Sequence, residues 1–484
     1  MPIPVRAAPV AAAGSWRRQW NDISSSWLSS FLLHATLLLL LTLFAAPWQT
    51  NKAPPLSLVL DIELDPAIDL EEGAAADSTS DEASQAAELG LVEFEVELST
   101  PIPQAAEIVG SSRPAEGVGQ AILPEVDWWA PTGTTVSGGL RGRTQGMKQQ
   151  LLAERGGTPE SEDAVERGLR WLQAHQRTDG SWRFNHFDGP CNGHCSHPGN
   201  HASTTAATAL ALLPFYGAGH THREGDYQET VAKGLYYLGS QMIVNEHGGD
   251  LQQGTMYAQG IAAILLCEAY AMTGDENLRD FAQAAIDYIA WAQHPKGGWR
   301  YNPGQPGDLT STAWQFMAIK SAQMSDLDTS SETIYRVSNF LDSLESEGGA
   351  QYGYQTVDPR RSTTAIGLLC RMYLGWQREN ESLQRGAALL DRWGPSPDDM
   401  YYNYYATQVM SHYGGPAWER WNDRMREQLI RDQATVGHEA GSWYYDDQHA
   451  RSGGRLYNTA MAIMTLEVYY RHMPLYAKDV TREF

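Results

Sequence analysis

The chain has 484 residues, a formal net charge of −23 and four cysteines. That length allows two or three domains, and an acidic balance of this size excludes nucleic acid as the partner. The acid is also unevenly spread: residues 51–130 hold seventeen carboxylates against Lys52 and Arg113, so the rest of the chain is only mildly acidic.

Residues 1–26 carry Arg6, Arg17 and Arg18 and lead into WLSSFLLHATLLLLLTLFAAPW, residues 27–48, which has no formally charged side chain and His34 as its one strongly polar residue. This run is long enough to cross a bilayer core of roughly 30 Å as a helix. Trp27 and Trp48 stand at its ends, where indoles favour the membrane interface. Arginines before it and acid after it predict a single-pass anchor with a cytoplasmic N-terminus and an extracytoplasmic folded domain, periplasmic if the source is bacterial. A cleaved signal peptide is the competing reading. The run is longer than a usual signal core and Pro47-Trp48 is a poor cleavage site, which favours the uncleaved anchor. Residues 49–159 read as an acidic, largely disordered linker whose charge keeps it extended. Two pieces alternate with period two, LSLVLDIEL (56–64) and LVEFEVEL (91–98), and are either short strands or irregular chain.

From residue 160 to 484 the pattern becomes an amphipathic helix, a Gly-rich turn and a second helix, repeated. The first members are 165–176, 231–241, 284–293, 337–344, 385–393 and 425–433; Val165, Leu169 and Leu172 mark one apolar face. The second members, 204–213, 257–266, 311–319, 363–372, 404–410 and 457–466, are almost uncharged and apolar around much of their circumference. They are the expected inner helices, and the first members the outer ones. The predicted fold is all-α, an (α/α)6 toroid of six helix pairs preceded by one transmembrane helix and an acidic linker. An open solenoid shows the same repeats; closure is favoured because the last pair is as apolar as the others and leaves little chain for a polar cap.

Three turns share a Gln, a spacer and Gly-Ser/Gly-Trp: Gln176, Gly180 and Trp182; Gln293, Gly297 and Trp299; and Gln433, Gly441 and Trp443, where an insertion lengthens the spacer (QATVGHEAGSW). Weaker matches are GGAQYGY (348–354) and EHGGDLQ (246–252). Over residues 160–475 these units resemble the repeats of the squalene–hopene cyclase and protein prenyltransferase group. The resemblance implies that the Gln amide stacks on the indole, tying one helix end to the next helix. It also implies a barrel around an aromatic-lined cavity suited to isoprenoid chains.

The chemistry does not follow. Cyclases of that group protonate substrate through an Asp-x-Asp-Asp-Thr-Ala motif in which neighbouring carboxylates tune one acid. The counterparts here are DLTSTA (308–313) and RRSTTA (360–365); only Asp308 keeps a carboxylate, with Thr310 and Ser311 at the other acidic positions. Asp398-Asp399 and Asp446-Asp447 do not form a magnesium–diphosphate pattern, and the zinc set of the prenyltransferases has no match. Asp308 is the single catalytic candidate, and protonation-initiated cyclisation is not expected.

Two further stretches carry chemistry. HFDGPCNGHCSHPGNHAS (186–203) gathers Cys191, His194, Cys195, His197 and His201. Thiolates and imidazoles this close can bind zinc, but the spacing is not a standard one. In an oxidising compartment a Cys191–Cys195 disulfide is favoured over zinc, with free thiols as the third reading. PDDMYYNYYATQ (397–408) places Tyr401, Tyr402, Tyr404 and Tyr405 at the start of an inner helix, where with Trp314 they either contact a ligand or pack the core. Cys267 and Cys370 read as small core residues. Three functions stay open: binding, with or without modifying, an isoprenoid or other apolar small molecule; a non-catalytic scaffold for envelope proteins; and a glycan-active (α/α)6 enzyme, by fold analogy alone.

Overall fold

A computed structural model describes residues 138–473 and 475–476, all within the compact unit Pro114–Phe484. The predicted anchor and the two alternating pieces lie outside the described residues, and no described helix is long and apolar enough to cross a membrane. Folded structure begins earlier than the expected boundary at 160. A 3-10 turn, Gly138–Arg143, and helix α1, Gln145–Glu154, precede the first pair. Leu140 and Arg143 of that turn are fully buried, which explains why a stretch with linker-like composition is ordered.

The outer helices are α2 (Pro159–Ala174), α4 (Gln228–Gln241), α6 (Glu276–Trp291), α8 (Ser331–Asp342), α10 (Glu381–Trp393) and α12 (Gly415–Asp432). The inner helices are α3 (Thr204–Gly217), α5 (Met256–Thr273), α7 (Leu309–Met324), α9 (Arg361–Tyr373), α11 (Met400–Tyr413) and α13 (Ala450–Leu466). Each inner helix packs on the next, and α13 packs on α3, so the six close a ring. This is the predicted toroid, and the open solenoid is excluded for the described residues. Two short antiparallel hairpins, β1 (Ile243–Asn245) with β2 (Gly248–Asp250) and β3 (Glu345–Ser346) with β4 (Gln351–Tyr352), fill two of the turns.

Local sequence explains each element. In α2 a Thr158–Ser161 capping box and Pro159 start the helix, and Val165, Leu169 and Leu172 are buried as expected. Each such side chain contributes about 1.5–3 kcal/mol on burial. The inner helix α3 is buried from Thr205 to Gly217, on every face. Gly168 lets α2 nest: a Cβ there would meet the Ile463 side chain of α13 at 2.7 Å.

The repeated turns hold the ring by hydrogen bonds, three to a turn. The Gln side chain donates to a carbonyl of the following outer helix: Gln176 to Thr230, Gln293 to Thr333 and Gln433 to Ala164. The third of these reaches from the last pair to the first and closes the circle. Each indole N–H donates back to the end of its own outer helix, Trp182 to Leu172, Trp299 to Ile289 and Trp443 to Leu429, at 2.7–2.8 Å. Each glycine is left-handed (Gly180 φ 87°, Gly297 φ 84°, Gly441 φ 95°), and an added Cβ would collide with a carbonyl of the neighbouring outer helix.

A third bond recurs in all six pairs. The backbone N–H entering each inner helix is caught by a buried polar side chain of that helix: Trp182 by Thr208, Leu251 by Gln259, Trp299 by Thr312, Tyr352 by Thr364, Ser396 by Asn403 and Trp443 by Thr459. Buried backbone donors need such partners, so the Thr, Gln and Asn positions on otherwise apolar helices are structural.

Candidate functional site

All six inner helices start at one end, here the mouth. Neighbouring first turns touch there: Tyr257 Oη and Thr310 Oγ1 are 2.7 Å apart, and the Tyr401 and His449 rings 4.5 Å. Asp308 caps α7, accepting from Ser311 N at 2.7 Å and Thr310 Oγ1 at 2.8 Å, with Arg300 Nε 3.8 Å from its other oxygen. Burial pushes its carboxyl above the usual carboxylate value despite those donors and Tyr354 beside it. Asp308 therefore caps the helix through Oδ1, and it stands as one acid without the adjacent carboxylates of the cyclase pattern.

Sequence reasoning missed that Asp399 bears electrostatically on Asp447. Asp399 caps α11 by accepting from Tyr402 N at 2.8 Å, and Asp447 precedes α13, accepting from His449 N at 2.8 Å. Burial, with Asp399 nearby, pushes the Asp447 carboxyl up to about 7. The two acids lie on separate turns 48 positions apart, and the packing of α11 against α13 brings them together. His449 is held neutral by burial, its pKa drawn down to about 4.

Four of the five aromatic candidates converge on the axis. Trp314 Nε1 donates to Tyr401 Oη at 3.1 Å, and the Trp314 ring stacks on Tyr404 (6.1 Å, 12°) and meets Tyr405 edge-on (6.2 Å). All four are at most 3% exposed. Tyr402 is a correction: its hydroxyl donates to the Gly394 carbonyl and its ring packs on Trp421, facing the outer layer and not the axis. The start of a helix shows both faces to sequence reading, and only the ring's geometry separates them.

Beneath this aromatic layer lies a cavity of about 20 Å³, room for roughly one water molecule, bordered by Trp314, Tyr404, Lys320 and Glu268. The far end is closed by buried ion pairs. Arg143 Nη1 meets Glu268 at 2.7 Å, Arg471 meets Glu268 at 3.4 Å and Glu467 at 2.8 Å, and Arg143 Nε donates to the Arg471 carbonyl. The cavity is thus small and partly charged, unlike the isoprenoid chamber implied by the resemblance.

The cysteine-rich loop also departs from expectation. Cys191 and Cys195 are buried free thiols, so the favoured disulfide is not formed. His194, His197 and His201 do not join them. His194 Nδ1 is engaged by the Cys191 carbonyl (2.7 Å), His197 stacks on Tyr444 (3.7 Å), and His201 Nδ1 accepts from Ser203 N. The imidazoles that reach the sulfurs are His175, from the end of α2, and His438, from the inserted turn before α13. Neither is a neighbour of the cysteines in sequence.

No protein-family profile matches the chain, and no curated protein does. Solved structures that resemble it include a type II terpene cyclase, MstE from Scytonema, in complex with geranylgeranyl dihydroxybenzoate (12% identity, 64% of this chain and 97% of that one, TM-score 0.46). Others are an inactive variant of an α-1,6-mannanase of Salegentibacter with α-1,6-mannotriose (10%, 64% and 99%, TM-score 0.48) and an α-amylase from Clostridium perfringens (13%, 64% and 98%, TM-score 0.45). At these identities and scores, what the chain does has to be argued from its own residues.

Proposed function

We propose that this chain is a membrane-anchored, extracytoplasmic toroid that binds a protein of the envelope on its outer surface and encloses no ligand at its axis. The observation that carries this reading is the filled axis. Small-molecule chambers run to about 300–1,000 Å³, whereas the space beneath Trp314 and Tyr404 is about 20 Å³. An isoprenoid would have to displace the whole aromatic layer. The outer face supplies a surface in its place. Tyr236 (80% exposed) on α4, Ile243 (67%) and Val244 (70%) on β1, and Phe281 and Trp291 (46%) on α6 are exposed apolar side chains, and their elements adjoin: His247 of the hairpin stacks on Trp291, and Phe281 lies beside Gly239 of α4. Exposed apolar groups gathered in this way mark protein contact sites.

The test is capture by cross-linking from the native membrane, with solvent extraction of the purified full chain. Ile243→Asp with Val244→Asp should abolish capture without changing the melting temperature, and extraction should yield no stoichiometric lipid. One equivalent of isoprenoid per chain, or capture indifferent to those charges, would sink the proposal.

A second reading, glycan-active chemistry, is favoured by the Asp399–Asp447 pair alone. Glycoside hydrolysis uses a carboxyl whose pKa is raised toward neutrality together with a second carboxylate, and burial raises that of Asp447 to about 7. Release of reducing ends from oligosaccharides by the native chain, lost in Asp447→Asn, would establish it over the scaffold.

A further inference from the structure

We propose that His175, Cys191, Cys195 and His438 bind one zinc ion, which clasps the first helix pair to the last. One donor atom from each lies within 4.8 Å of all the others. Cys195 Sγ is 3.1 Å from His438 Nδ1 and 3.4 Å from His175 Nε2, and Cys191 Sγ is 4.0 Å from His438 Nδ1. Tetrahedral zinc, with bonds of about 2.3 Å to sulfur and 2.0–2.1 Å to nitrogen, sets its ligands roughly 3.3–3.8 Å apart. The three closest measured pairs, at 3.1–4.0 Å, need shifts of only a few tenths of an ångström, and no pair of the four has to close by more than about 1.5 Å. Two soft sulfurs with two imidazoles is a tetrahedral set that selects zinc over the hard, oxygen-seeking cations. Four protein donors leave no open position, so the site is structural and not catalytic.

The surroundings prepare these atoms for a cation. His175 Nδ1 lies 2.6 Å from the Trp171 carbonyl, which holds the proton on that nitrogen and turns the Nε2 lone pair to the sulfurs. Cys195 N–H donates to Cys191 Sγ at 3.3 Å, a contact that supports a thiolate. Between the cysteines, Asn192 (φ 47°) and Gly193 (φ 74°) are left-handed, so the chain turns back and both sulfurs face one point. The flanking residues are bolted together. Ser196 N donates to Glu439 Oε1 at 2.7 Å, Arg455 pairs with Glu439 at 3.0 Å and also donates to the Ser196 carbonyl. Ser196 follows Cys195 and Glu439 follows His438, so the donors are held in register across the seam.

The ligands also explain the irregular third repeat. The residues that lengthen its spacer include Gly437, His438 and Glu439, a 3-10 turn that carries His438 across to the loop of the first pair. Three ligands come from the first turn and one from the last, where the chain must join its two ends to close the ring.

The test uses the purified full chain. Elemental analysis should find one zinc per chain, and a chromophoric chelator should release it. Under denaturing, non-reducing conditions four thiols should titrate. Substitution of cobalt should give the absorption bands of a tetrahedral thiolate site. His438→Ala, in an exposed turn, should lose the stoichiometric zinc while keeping helical circular dichroism. His194→Ala, His197→Ala and His201→Ala should each retain it. Hydrogen exchange after chelation should rise in residues 175–201 and 433–441 and not in the other turns. The proposal is overturned by four titratable thiols with no bound metal, by stoichiometric iron or copper in place of zinc, or by two titratable thiols with a Cys191–Cys195 disulfide. Zinc retained in His438→Ala overturns it as well.

Discussion

The two ends of the toroid both hold carboxylates out of water and supply them with cations unequally. At the closed end, burial raises the Glu268 carboxyl, and Arg143 and Arg471 more than reverse this, holding it below the usual value, whereas Glu467, which pairs with Arg471, is pushed up by burial to about 8. At the mouth, burial raises Asp308 and Asp447, and the donors around them do not bring them back. The difference lies in how each end is built. The closed end is joined by ion pairs, whereas the mouth is joined by neutral bonds between Gln, Trp, Thr and backbone. A rim held mainly by neutral contacts gives Asp308 no nearer cation, among the described residues, than Arg300 at 3.8 Å, so burial keeps both carboxyls raised, that of Asp447 to about 7.

The largest test of this contrast is Glu268→Gln. It should leave Arg143 without its buried counter-charge and cost about 3–5 kcal/mol, read by urea denaturation; a loss under about 1 kcal/mol would erase the difference between the ends. Gly441→Ala perturbs the mouth through backbone alone. A left-handed alanine facing the Arg167 carbonyl should cost about 2–3 kcal/mol by the same measurement. Gln433→Ala, which removes two donors from buried carbonyls, should cost about 1–2 kcal/mol and raise hydrogen exchange where α12 meets α2.

The effect with a pH signature is the smallest at any one pH step. Folding raises the Asp447 value from 3.8 to about 7, so the folded chain binds the extra proton between those values. Stability should therefore decline as pH rises from about 4 to about 7, by less than about 1.4 kcal/mol per unit. Asp447→Asn should flatten that decline and be neutral or mildly stabilising at pH 7. A decline that persists in the variant would show that Asp447 is not its source.

The helix pairs were legible because an apolar inner helix and a one-faced outer helix have different periodic patterns, and six of each could be counted. Trp182, Trp299 and Trp443 announced three turns. The other three were veiled because Leu251, Tyr352 and Ser396 stand at the same place, and what they share is the partner side chain on the inner helix. The site was less readable. His175 and Cys195 are 20 positions apart and Cys195 and His438 are 243 apart, so no local spacing rule joins them. The signal that could have found His438 was the insertion itself, visible as a departure from the repeat. The near histidines misled for the opposite reason, since adjacency in a tight loop points side chains away from one another as often as together.

The bond from Gln433 to Ala164 has a kinetic consequence. An ordinary link of the ring, Gln176 to Thr230, joins residues 54 apart, and this one joins residues 269 apart. Closing the longer loop costs about 1.4 kcal/mol more in chain entropy, and every other link can form before it. The last and first pairs should then meet latest in folding and part earliest in unfolding. A circular permutant broken between α6 and α7, with the present ends joined, would move that weakest moment to a turn that has no cysteines.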